Sequence, residues 1–260
     1  MTEVPAGATV PGRRRRGALE VLWLAALVAA AAAGIVVPFT RSRAVPEIRR
    51  GVGPDIRPSG WDERRKEFAV RAEQERGAVV FLGDSITDWW TGLAAAFPEI
   101  RVANRGIAGD TARGLLARLQ DDVLSLRPRA VVLLIGTNDL AVGATPAQVT
   151  ANVRDLLALI AESDPECPVV LCLVMPRRPR PGLFPDLLLD LNARLRAVAD
   201  VRRGITLCDS WTPFADELGR PRPSEFPDGL HPNENGYEIW GREVRAALVR
   251  AGVIPEGAPR

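Results

Sequence analysis

In 260 residues the chain has one histidine, one lysine (Lys66) and three cysteines. Each scarcity removes a class of chemistry. A single lysine leaves little scope for a lysine nucleophile or a Schiff base. Cys167, Cys172 and Cys208 form no Cys-x-x-Cys, and with one histidine they do not supply the ligand sets of a zinc site, so neither metal nor cofactor is expected. No internal repeat is present. Basic charge is also missing where nucleic-acid binding would need it. The formal net charge is +2, but residues 1–60 hold nine arginines against four acids, and the remainder holds 25 basic against 28 acidic groups. A mildly acidic main domain does not neutralise phosphates, so no nucleic-acid partner is expected.

What is present divides the chain into five stretches. Residues 1–17 are a small, basic tail ending in Arg13-Arg14-Arg15-Arg16. Residues 18–38 are apolar apart from Glu20, and about 20 apolar residues span a bilayer core as a helix. The arginines before the run favour a cytoplasmic N-terminus and an extracytoplasmic main domain. The run reads as an uncleaved signal-anchor; a signal peptide cut after Ala31-Ala32-Ala33, releasing a secreted domain, is the alternative. No cysteine follows closely, which excludes a lipoprotein anchor. Residues 39–60, rich in proline and glycine, read as a linker, 61–253 as the folded domain, and 254–260 as a tail.

Within 61–253, helical and strand patterns alternate. Strands are expected at Val79–Leu82, Ile100–Ala103, Ala130–Ile135, Pro168–Val174 and Ile205–Cys208. Helices are expected at Trp61–Arg76, Arg113–Leu126, from Pro146 to Ile160, Asp186–Val198 and Glu234–Arg250. This order predicts an α/β fold: a doubly wound sheet of five parallel strands between two helical layers. Cys172 and Cys208 fall in neighbouring strands and read as buried free thiols, with a disulfide as the alternative in an oxidising compartment.

Four short motifs follow strands. They are Gly83-Asp84-Ser85, Asn104-Arg105-Gly106-Ile107-Ala108-Gly109-Asp110-Thr111, Gly136-Thr137-Asn138-Asp139 and Asp228-Gly229-Leu230-His231-Pro232. In an open parallel sheet the strand carboxyl ends share one edge, so these loops converge. Taken singly, each reads as a turn or a cap. Together they supply a nucleophile in Ser85, a base in His231 and an orienting carboxylate in Asp228. Imidazole, with its ordinary pKa near ~6.5, suits proton transfer at neutral pH. Acyl transfer also needs donors for the developing oxyanion, and the Ser85 and Gly106 N–H groups and the Asn138 amide are the candidates. The Gly-x-Ser-x-Gly elbow of α/β-hydrolases is absent around Ser85.

These four motifs resemble those of the SGNH/GDSL hydrolase family, in its platelet-activating-factor acetylhydrolase-like branch. The resemblance covers roughly residues 75–250. It implies a flavodoxin-like sheet, a Ser85–His231–Asp228 triad, and an oxyanion hole of Ser85, Gly106 and Asn138. The implied activity is metal-independent hydrolysis of acyl esters, short-chain or acetyl, on a carbohydrate or lipid. An acyltransferase or thioesterase using the same residues is the enzymatic alternative, and a non-catalytic membrane-tethered binding module is the other. Asp84, Asn104, Trp89 and Arg177 are candidates for substrate contacts. Trp89, Trp90 and Leu93 read first as packing a helix onto the sheet, and secondly as an acyl-pocket wall. The Met175–Pro185 stretch should rim the site, with Arg177, Arg178 and Arg180 solvated or facing an anionic group.

Overall fold

A computed structural model of the protein describes residues 51–257, apart from Pro181 and Phe184. The basic tail, the 18–38 apolar run and the first part of the linker lie outside the described residues. Among the described residues no helix is long and apolar enough to cross a membrane.

In chain order the elements are α1 (Trp61–Arg71), β1 (Val79–Gly83), two one-turn helices α2 (Ser85–Asp88) and α3 (Leu93–Ala96), and β2 (Val102–Gly106). Then come α4 (Ala112–Asp122), β3 (Ala130–Leu134), α5 (Thr137–Ala141), α6 (Pro146–Ser163) and β4 (Val169–Cys172). The last three are α7 (Pro185–Asp200), β5 (Ile205–Cys208) and α8 (Glu234–Arg250). The five strands are all parallel, in the order β2-β1-β3-β4-β5. The expected doubly wound architecture is therefore present, and its direction reverses between β1 and β3.

The central strands β1, β3 and β4 are apolar on both faces because helices cover both. Val80, Leu82, Val131, Leu133 and Leu171 face α4, α6 and α7. Their sequence neighbours Val79, Phe81, Val132 and Val170 face α2, α3 and α8, where Trp90, Phe97 and Trp240 fill the core. Burying one such side chain contributes about 1.5–3 kcal/mol. Thr145 starts α6 with a capping box closed by Gln148, and Pro146 sits in the first turn. Cys172 and Cys208 are register partners on β4 and β5, both buried and both free thiols. Hydrogen bonding to Cys172, followed by burial, pushes the Cys208 thiol up.

Two boundary differences bear on the site. Strand β2 starts two residues later and runs to Gly106, because Phe81, Leu82 and Gly83 pair with Asn104, Arg105 and Gly106. The second motif therefore begins inside the strand rather than after it. Residues 51–60, expected to be linker, are fastened to the domain by a buried side chain: Asn152 hydrogen-bonds both the N–H and the C=O of Val52, at 2.8 and 2.9 Å.

Candidate active site

The nucleophile candidate sits where β1 ends. Asp84 caps the short helix α2 by accepting the Ile86 N–H at 3.0 Å. That turn presents Ser85, a residue only 6 % exposed. Its Oγ lies 2.9 Å from Nε2 of His231. On the other side of the ring, Nδ1 lies 2.6 Å from Oδ2 of Asp228. With the Nδ1 proton donated to that carboxylate, Nε2 is left as an acceptor for the serine proton.

Asp228 is well suited to hold the ring. Its Oδ1 accepts the N–H groups of Leu230 and His231, each at 2.8 Å, which fixes the turn. Partial burial would raise its pKa. The backbone N–H and imidazole of His231, with the Leu230 N–H, outweigh this and hold it down to about 2. Asp228 is thus an anion throughout the neutral range. A hydroxyl, an imidazole and a carboxylate in one hydrogen-bonded line can deprotonate the hydroxyl and stabilise the resulting imidazolium.

The other loops supply donors, though not the set expected. Asn138 has one amide hydrogen on the Asp110 carbonyl at 3.0 Å, leaving the second free. Gly106 requires a correction. Its N–H is spent on Asn104 Oδ1 at 2.9 Å, so it is not available to an oxyanion. It must be glycine for another reason: a Cβ there would stand 2.1 Å from the Asp88 backbone nitrogen. Three residues on, Gly109 has φ +81°, a conformation in which side chains are strained, and no hydrogen bond occupies its N–H among the described residues. The only signal in the sequence is that Gly109 is the second glycine of the same motif.

The remaining substrate-contact candidates divide. Asp84 is buried and serves as a cap, which removes it from substrate contact. Burial, with the charges of Asp139 and Asp110, pushes its carboxyl up to about 7, against the Ile86 N–H and Arg177. Asn104 is half-buried, its amide donating to the Thr87 carbonyl at 2.6 Å and so tying α2 to β2. Trp89 does not pack the helix onto the sheet. It is 51 % exposed, with its ring centred 4.2 Å from the His231 ring, whereas Trp90 and Leu93 are core. Arg177 was expected at a solvated rim and is instead only 7 % exposed, donating to the backbone and hydroxyl oxygens of Thr137. The next residue, Arg178, donates its backbone N–H to Gly229 at 2.6 Å. The loop after β4 therefore ties the Asn138 loop to the His231 loop.

Sequence reading missed another buried arginine, Arg118 on α4. Its Nε donates to Asp110 at 2.8 Å, and Nη2 donates to the carbonyls of Arg105 and Gly83 at 2.8 and 3.2 Å. It thus joins the ends of β1 and β2 to the loop beneath Asn138. Burial pushes the Asp110 carboxyl up, with Arg118 and the Thr111 N–H pulling the other way. The signal was an arginine three residues after Leu115, on the apolar stripe of α4. Asp139 completes the buried set: both its oxygens lie 3.0 Å from the Ala112 nitrogen, and burial carries its carboxyl up to about 7. Among the described residues no group of His, Cys, Asp and Glu could hold a metal ion.

A model of the GDSL-like Lipase/Acylhydrolase family matches residues 81–239, the span that contains all four motifs. Platelet-activating factor acetylhydrolase IB subunit alpha1 from Homo sapiens is 28 % identical over 215 residues, covering 79 % of this chain and 91 % of that protein. A GDSL-like lipase from Bacteroides thetaiotaomicron superposes with a TM-score of 0.64 at 26 % identity, covering 72 % of this chain and 97 % of that one. The lipase/acylhydrolase from Enterococcus faecalis gives 0.56 at 25 % identity, over 69 % and 98 % of the two chains.

Proposed function

Because the chain belongs to the GDSL-like lipase/acylhydrolase family, and is therefore an esterase-type hydrolase, we propose that Ser85, His231 and Asp228 are its catalytic triad and that its substrate is a short-chain, chiefly acetyl, ester. The observation that carries the triad is the unbroken hydrogen-bond line from Asp228 through His231 to Ser85. Ser85 Oγ attacks the ester carbonyl as His231 Nε2 takes its proton. The oxyanion is met by the N–H groups of Ser85 and Gly109 and by the free amide hydrogen of Asn138. The carbonyl re-forms, the alcohol leaves with the proton from His231, and an acyl-Ser85 ester remains. Water, deprotonated by His231, then releases the acid and restores the serine.

The acetyl preference rests on the relatives named acetylhydrolases, and the alcohol is a carbohydrate or a lipid. The alcohol oxygen must lie within reach of His231, so that half of the ester passes beside the exposed face of Trp89. Hydrolysis of p-nitrophenyl acetate and labelling by a fluorophosphonate should both vanish in Ser85→Ala. Persistent labelling in that variant sinks the assignment. For residues 18–38 we propose a membrane anchor with the domain on the extracytoplasmic side, on the strength of the Arg13–Arg16 cluster before the run. A C-terminal alkaline phosphatase fusion should then be active, and a silent fusion reverses the orientation.

A further inference from the structure

Residues 51–60 contain no helix or strand, yet they are fastened at several points across α4, α6 and the second motif. At one end, Val52 is held through both backbone groups by Asn152, which is 2 % exposed in the apolar stripe of α6. Next, Arg113 of α4 donates to the Gly53 carbonyl and pairs with Asp55 at 3.4 Å. At the other end, the Pro58 carbonyl accepts the Trp61 N–H at 3.2 Å, starting α1. Trp61 then packs with Phe68 and Ile107, and Ile107 belongs to the second motif.

The last contact bears on the chemistry. Pro58 lies against Gly109, so closely that a Cβ added to Gly109 would stand 2.9 Å from Pro58 Cβ. Gly109 has no side chain to hold its own conformation, and its left-handed φ is one of several open to glycine. Its neighbours are fixed by other partners: the Ile107 N–H by the Gly83 carbonyl at 3.2 Å, and the Ala108 N–H by Asp88 at 3.1 Å. The Asp110 N–H closes the turn on the Ile107 carbonyl at 3.1 Å, and Pro58 is the neighbour that a Cβ on Gly109 would meet.

We propose that residues 51–60 are a brace for the oxyanion loop: Asn152 and Arg113 anchor the segment, and Pro58 sets the Gly109 peptide so that its N–H faces the reacting carbonyl. This rests on the reading of Gly109 as an oxyanion donor. Pro58 is then a positioning residue that never touches substrate, and its contribution falls on the transition state rather than on binding. A donor displaced by a fraction of an ångström loses most of its effect on the developing charge.

The test is made in the full chain with p-nitrophenyl acetate, counting competent sites by fluorophosphonate titration and following thermal unfolding alongside. Pro58→Gly should lower kcat per titrated site by about 10-fold or more, with KM nearly unchanged. Pro58→Ala, which keeps the contacting Cβ, should recover most of that loss. Asn152→Ala, which releases the far end of the segment, should shift kcat in the same direction as Pro58→Gly. If both Pro58→Gly and Asn152→Ala lower only the melting temperature and leave kcat per site intact, the segment is merely structural and the proposal is overturned. Replacing the Gly109 N–H by an ester oxygen, with glycolate incorporated at position 109, separates the two readings. Should that variant keep full kcat, the donor assignment fails and the brace with it. Should it lose kcat while Pro58→Gly and Asn152→Ala do not, the donor stands and the brace alone falls.

Discussion

The two sides of the site hold their aspartates in opposite ways. On the Ser85 side, Asp84, Asp110 and Asp139 are buried, and burial pushes each carboxyl up, to about 7 for Asp84 and Asp139. On the His231 side, Asp228 stands in an exposed turn and is held down to about 2 by the N–H groups of His231 and Leu230 and by the imidazole. The same side chain is used in one place as an internal cap and in the other as a permanent anion. With the roles proposed above, the nucleophile sits among buried carboxylates, and the acid–base pair is held by a local hydrogen-bonded turn.

The largest expected effect breaks the exposed side. Asp228→Asn leaves the turn's acceptor oxygen in place but removes the charge that holds the imidazole tautomer, so kcat should fall by about 10³–10⁴-fold. Because the residue is exposed, solvent screens its stabilising contribution, and the melting temperature should fall by only a few degrees. A loss of fold with no specific loss of kcat would show that Asp228 is structural like the other three.

An intermediate effect probes the buried side. Folded Asp84 keeps its proton to about pH 7, whereas an unfolded aspartate gives it up near ~3.9. The folded state therefore binds more protons across that window, and stability falls as pH rises through it. Asp84→Asn, which can still accept the Ile86 N–H, should remove part of this loss, on the order of 1–3 kcal/mol between pH 5 and pH 8 in urea titrations. Parallel stability curves for the variant and the parent would place the slope elsewhere. Asp228 contributes with the opposite sign: its stabilisation is present above the unfolded value and is lost as pH falls towards 2.

The smallest effect tests how the two sides are joined. Tyr237 on α8, six residues after His231, donates its hydroxyl to the Ile86 carbonyl beside Ser85 at 2.9 Å. Tyr237→Phe should cost about 1 kcal/mol of stability and change kcat by less than about threefold. A much larger loss of kcat would mean that the two sides depend on this single tie for their registration.

Much of this was legible in the sequence. Apolar runs ending in glycine-rich motifs located β1 and β3, and a serine, a histidine and an aspartate in such motifs indicated the site. What escaped reading were features set by tertiary partners. Gly106 and Gly109 look equivalent in the motif, and only the Asn104 side chain reveals which N–H is already taken. The end of β2 depends on its pairing with β1 rather than on its own residues. Asn152 looks like a polar lapse in an apolar helix until Val52 is found between its two amide atoms. Arg177 and Arg178 read alike in a basic loop, yet one is buried against Thr137 and the other is exposed.

The distance along the chain between Ser85 and His231, 146 residues, has a consequence for biosynthesis. The ribosome finishes the serine, its capping turn and the donor loops long before it reaches the base. With the roles proposed above, a nascent chain carries an unactivated hydroxyl until α8 is made and docked. A chain exported while it is being synthesised would gain its activity only after nearly all of the domain has crossed, and a product truncated before residue 231 would be hydrolytically silent.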